Sequence, residues 1–480
     1  MKRALFLLLL SSAAAAATFN PSPLLNMKPE PEKLMEDCRA AKKRAQSALE
    51  RVARMPKSVR TFDNTPWALD LIASDLTDQT GSSTFLKYVS VSSAVRESAN
   101  ECETLLGQFA VDVYSREDLN IALKEYANKK ELLTPEAARL VSKELLDFKR
   151  SGLELPRERR QEVSGLRKKL VELEALFSRN INEHRDYALF DKTELGGMPE
   201  DFVNRLEHLD GKYMVGLDYP DYFPFMDNST NPEARKLLEN KFNNRAAFQN
   251  IAVLKDILAL RFKAARLLGY PTHAHFVLES RMAANPRTVA SFLARLRRKL
   301  RPLGIKELAK LKTLKREQEG KAAAKRINAW DWRFYDNQLK KTDYAVDAQK
   351  IKEYFPVDLV TSRMLEVYQN LLGLDFRRID NPAVWHPDVE LYEIRDAGGR
   401  EPIAHFYLDL YPRKGKYKHA AAFAIITGRR LPDGRYQKPV SAMVANFDKP
   451  AKNRPSLLTH DEVETFFHEF GHIMHQTLTK

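Results

Sequence analysis

One pentapeptide near the carboxyl end, His468-Glu469-Phe470-Gly471-His472, restricts this chain more than any other stretch, because its chemistry requires a helix. Imidazoles four residues apart on a helix are separated by about 6 Å along the axis and about 40° around it, so both can reach one metal ion. The glutamate between them lies on the neighbouring flank, where it can accept a proton from a water activated by that metal. Residues 459–476 read as one amphipathic helix, and Thr459 with Glu462 forms a capping box that fixes its start. His468 and His472 are therefore the expected zinc ligands and Glu469 the expected general base.

A catalytic zinc ordinarily takes three protein ligands and keeps a fourth position open. His475 and Glu464 share the ligand face, but His475 lies about 10 Å along the axis from His468, too far for one ion. Glu464, one turn before His468, suits a supporting partner better than a ligand. The sequence given stops at Lys480, soon after His472. An acidic third ligand from a later helix has no residue here to occupy, so weak zinc binding and little or no turnover are expected of this chain.

Length and composition set the frame. With 480 residues, 44% hydrophobic and 30% charged, the chain can bury the cores of several domains. Only 18 glycines, among abundant Leu, Ala, Lys, Arg and Glu, favour helix. The net charge of +14 invites a nucleic-acid partner. Its basic residues are interspersed with acids on helix faces, however, and no nucleic-acid motif accompanies them. Lys2 and Arg3, an apolar run over 4–10 and a small-residue tract over 11–17 read as an export signal (residues 1–17), too short to span a membrane. A periplasmic or secreted chain is expected. Cys38 and Cys102 would then meet an oxidising compartment, which leaves open either one disulfide or two unpaired, buried thiols.

Along the chain, residues 18–31 form a proline-rich linker, 32–230 an N-terminal helical region and 231–480 the region that carries the metal motif. Apolar positions every three or four residues predict helices over 36–52, 89–109 and 156–184. Asn231-Pro232 and Asn285-Pro286 are cap-and-proline starts of two more. Pro220 and Pro224 are expected to break the chain, and Pro302 to break or kink the basic helix that follows Pro286. His273 and His275 are spaced for opposite faces and read as structural. From residue 385 the texture changes to strands: 389–395 with 403–410, and 421–427 with 440–447, read as two hairpins of a small antiparallel sheet just before the metal helix. An exposed edge of such a sheet could hold an extended peptide beside the metal.

Residues 457–476 (LLTHDEVETFFHEFGHIMHQ) resemble the active-site helix of the thimet oligopeptidase, neurolysin and oligopeptidase A family of zinc metallopeptidases. The resemblance extends through 406–419 (FYLDLYPRKGKYKH), 440–450 (VSAMVANFDKP), 267–280 and 217–245, and more weakly through 155–184. It implies a mainly α, two-lobed helical fold with a deep channel. Zinc would sit at the channel floor, held by His468 and His472, with Glu469 as base. Short unstructured peptides would be the substrates, a monomer the working form, and strand 440–447 the cleft lining. The family's third ligand, a glutamate, and its later tyrosine- and histidine-bearing loop have no counterpart in this sequence. The alternative to a working peptidase is a non-catalytic, peptide-binding or decayed scaffold.

Overall fold

The computed structural model describes residues 19–23, 25–450 and 454–479; the expected export signal lies outside the described residues. The chain is mainly helical, with small sheets. Helix α1 (Pro31–Arg54) begins on a proline that sets its first turn, and buries Leu34, Cys38, Ala41, Ala45, Leu49 and Val52 along one stripe. It packs against α2 (Pro66–Val89) and α3 (Ser93–Tyr114), the latter capped by the Ser92 side chain. Cys38 and Cys102, both fully buried, are joined as a disulfide that ties α1 to α3.

Strands β1 (Tyr187–Phe190), β2 (Glu207–Leu209) and β3 (Lys212–Gly216) form a small antiparallel sheet in the order β1-β3-β2. The next stretch differs from expectation. Pro220 and Pro224 do not break the chain but lie within a helix, Tyr219–Asn228. Pro224 offers no N–H to the carbonyl of Pro220, and Arg205 Nη2 donates to that carbonyl instead. Pro302, likewise, sits inside one continuous helix, Pro286–Glu319. Every residue from 290 to 310 of that helix is exposed, including Phe292, Leu293, Leu296, Leu300 and Leu303. No helix among the described residues is long and apolar enough to cross a membrane.

The larger sheet contains β4 (Leu374–Arg378), β5 (Glu390–Asp396), β6 (Ala404–Asp409), β7 (Ala421–Ile426) and β10 (Val440–Val444), in the order β4-β5-β6-β10-β7. A two-stranded ribbon, β8 (Arg429–Arg430) and β9 (Tyr436–Gln437), projects from the β7–β10 connection. Both expected strand pairs form, β5 with β6 and β7 with β10, but the sheet is mixed rather than antiparallel, because β10 runs parallel to β6 with Val440 opposite His405. The long connection from β6 through β7 brings the chain back in its original direction, which a parallel pair requires.

Each face of this sheet is covered. Phe406, Leu408, Met443 and Ala445 point to a core shared with the helix Val357–Leu372 and the last helix, His460–Leu478. Tyr407, Val440, Ala442 and Val444 point the other way, onto α1, α2 and α3. Strands β6 and β10 are therefore buried along their whole length, as strands sandwiched between helices are.

Candidate metal centre

The helix His460–Leu478 is seated by its apolar stripe: Phe466, Phe470, Ile473 and Met474 are buried. The Phe470 ring meets Phe406 edge-on at 5.2 Å and Tyr368 at 5.0 Å, while Phe466 packs on Phe447. Its start is fixed as the sequence predicts. The Glu462 amide donates to Thr459 Oγ1, and the Thr459 amide donates to the Glu462 carboxylate at 2.8 Å.

Burying that stripe turns His468 and His472 outward, where both are exposed, with Glu469 half-buried between them. Their Nε2 atoms converge to 3.2 Å, with the rings nearly perpendicular at 83°. Two nitrogens bound to one tetrahedral zinc at ordinary bond lengths stand about 3.3 Å apart, so the pair has the spacing of adjacent ligands. A third donor does not join them among the described residues. The group of three that does converge, His460, Asp461 and Glu464, lies at the start of the same helix and is exposed. Glu464 approaches His460 at 3.8 Å. His275 is held by Thr272 at its own helix start.

Sequence reasoning assigned no role to the residues that face this helix from the 411–419 loop. Tyr417 is pushed above the ordinary phenol range by burial, with the Tyr88 phenol and the Glu469 carboxylate adding to the effect. Its amide donates to the Tyr88 carbonyl at 2.7 Å, and its ring meets Tyr88 edge-on. His419 Nδ1 and the Tyr219 hydroxyl share a hydrogen bond of 2.5 Å. Burial, with Arg245 and Lys418 nearby, holds this imidazole below its usual range and therefore neutral near pH 7.

A buried polar clamp fixes the loop. Asp409, at the end of β6, accepts from Arg413 through both carboxylate oxygens at 2.6 Å and from Trp385 Nε1 at 2.7 Å. Lys416 Nζ lies 2.7 Å from the same carboxylate and donates to the carbonyls of Asp409, Tyr411 and Ala445. Arg413 also donates to the Val89 carbonyl, which docks the loop on the α2–α3 turn. The available signal was Asp409 at the end of a mostly apolar strand, followed by Arg413 and Lys416, since charges so placed must pair internally.

Comparison with known proteins decides the family. Residues 225–480 match the model of peptidase family M3. The chain is 35% identical over 475 residues to the thimet-like oligopeptidase of Dictyostelium discoideum, covering 96% of this chain and 70% of that protein. The chain belongs to peptidase family M3. Saccharolysin of Saccharomyces cerevisiae is 35% identical over 82% of this chain and 58% of its own length. Oligopeptidase A of Salmonella typhimurium is 32% identical over 82% of this chain and 60% of its own. This M3 chain thus spans roughly 58–70% of the length of these relatives.

For peptide binding, the M3 sheet places its open edge differently from the expectation. Strand β10 is paired on both sides, so its backbone cannot receive a peptide. The outer strand next to the metal helix is β7, which packs against that helix. Its far end is closed by α2, where a side chain at Gly81 would collide with the Ile425 carbonyl. Ala424 beside it is exposed, and Phe423 packs on Phe85 and Tyr88 of α2.

Proposed function

We propose that this M3 chain carries the substrate-binding and base-supplying part of a zinc-dependent oligopeptidase, with short, unstructured peptides as substrates. The observation that carries this reading is the 3.2 Å convergence of His468 and His472 with Glu469 beside them. His468 and His472 would hold the zinc, which when bound polarises the scissile carbonyl and makes water nucleophilic at neutral pH. Glu469 accepts the proton of the attacking water and passes it to the leaving amine. Where α2 leaves it uncovered, the outer edge of β7 aligns the extended peptide by main-chain hydrogen bonds, and Tyr417 and His419 line the same side. We further read the chain as exported, since the Cys38–Cys102 disulfide suits an oxidising compartment.

Among the described residues no third donor joins the two histidines, and a second reading is a peptide-binding scaffold without turnover. Hydrolysis of a quenched fluorescent peptide in excess zinc separates the two. The peptidase reading expects slow, chelator-sensitive cleavage that falls by about 10²–10⁴ in Glu469→Gln. Peptide binding with no cleavage supports the scaffold. Cleavage unchanged by both the chelator and the substitution defeats the mechanism.

A further inference from the structure

Arg245 stands apart from the machinery described so far. It lies half-buried in the turn between the helices Pro232–Asn243 and Ala247–Leu267, with its guanidinium over the Phe242 ring at 3.8 Å. Phe242 stacks on Tyr222 at 3.7 Å and adjoins Tyr219 at 6.4 Å. The Tyr219 ring meets His419 edge-on, and His419 adjoins Tyr417 at 5.3 Å. An aromatic wall thus runs from Arg245 through Tyr219, His419 and Tyr417 towards Glu469.

Several arginines nearby have acids to hold. Arg205 pairs with Asp221, Arg235 with Asp331 and Arg333 with Asp227. Lys418, the other cation on the wall, pairs with Asp218 at 2.8 Å. No hydrogen bond or ion pair among the described residues engages the Arg245 guanidinium. Burying a cation without an ion-pair partner is costly and pulls its pKa down, with the Asp218 carboxylate and the Tyr219 and Tyr222 phenols nearby offsetting part of the effect. The next residue, Ala246, is buried with φ 54°, a left-handed conformation that disfavours any residue with a Cβ. A charge whose N–H donors are unused and a strained backbone at one turn mark a place shaped by something other than packing.

We propose that Arg245 receives a carboxylate of the bound peptide, either its free carboxyl terminus or an acidic side chain. The proposal rests on the peptide-binding reading above. A guanidinium offers paired N–H donors in the geometry of a carboxylate, and here they sit where water competes less than at an open surface. Held there, the carboxylate would fix how far a peptide extends along the wall towards Glu469.

Fluorescence anisotropy of labelled short peptides on the whole chain tests this without requiring turnover. Three otherwise identical peptides suffice: one with a free carboxyl terminus, one amidated, and one amidated with an internal aspartate. The wild-type chain is expected to bind a carboxylate-bearing peptide about tenfold or more tightly than the plain amide, the scale of one charge-assisted hydrogen bond. Which of the two it prefers identifies the carboxylate source. Arg245→Gln abolishes that preference while leaving the amide's affinity unchanged, and Arg245→Lys restores part of it. Absence of preference in the wild type, its persistence in Arg245→Gln, or an equal loss for all three peptides overturns the assignment. If no peptide binds the wild-type chain, the peptide-binding reading itself fails.

Discussion

Replacing Asp409 by Asn perturbs the clamp under the 411–419 loop while conserving volume. In the native chain this fully buried carboxylate faces Arg413 and Lys416, whose side chains are 9% and 0% exposed, and accepts from Trp385. Burial pushes Lys416 down to about 8 even with Asp409 beside it. Removing the negative charge leaves the Arg413 guanidinium buried without its counter-charge, pulls Lys416 down further, and turns an amide NH2 towards donors that the carboxylate accepted. Breaking a buried ionic cluster in this way costs about 3–5 kcal/mol. A surface pair would cost under about 1 kcal/mol. Urea denaturation followed by far-UV circular dichroism measures the loss. Hydrogen exchange at the Tyr417 amide, which bonds the Tyr88 carbonyl, reports whether the loop has come free. Asp409→Asn is expected to lose that protection before the sheet does. A variant within about 1 kcal/mol of wild type, with Tyr417 protection intact, would refute the clamp as the element that positions Tyr417 and His419.

Other parts of the fold make separate predictions. His405 is buried on β6 and pushed down from its ordinary value of 6.5 to about 4. As pH falls, the unfolded chain therefore takes up this proton first, and stability should drop by about 3 kcal/mol between pH 6.5 and 4. Equilibrium unfolding across that range should show a flatter profile in His405→Leu; an unchanged slope would contradict the assignment. The Cys38–Cys102 disulfide closes a loop with a sequence separation of 64. Its removal by paired Ser substitution should destabilise the chain by about 4 kcal/mol on loop-entropy grounds, measured by urea unfolding. Thr459→Ala removes one half of the capping box and should cost about 1 kcal/mol, with fraying confined to the first turn of the metal helix in hydrogen exchange.

The parts of the fold that depend on local chemistry were legible in the sequence. The Thr459–Glu462 cap, the Asn231 and Asn285 helix starts and the two strand pairs are all written in residues close along the chain. The spacing of His468 and His472 also needed only the helical period. What escaped reading depends on distant partners. Pro224 is tolerated because Arg205, 19 positions earlier, supplies the donor that the ring lacks. The parallel β6–β10 pair follows from where the β7 hairpin lands, which no local pattern encodes. Tyr417 and His419 enter the site through a clamp that joins β6, β10 and the α2–α3 turn.

The central claim is that His468 and His472 bind one metal together, and isothermal titration of zinc into the chain tests it most directly. Wild type should take up one equivalent of zinc, and His468→Ala and His472→Ala should each weaken that uptake by tenfold or more, on the order of a lost ligand bond. His460→Ala, which lies at the exposed start of the same helix, should leave it unchanged. Zinc uptake that survives loss of either His468 or His472, or that vanishes with His460 instead, would contradict the account.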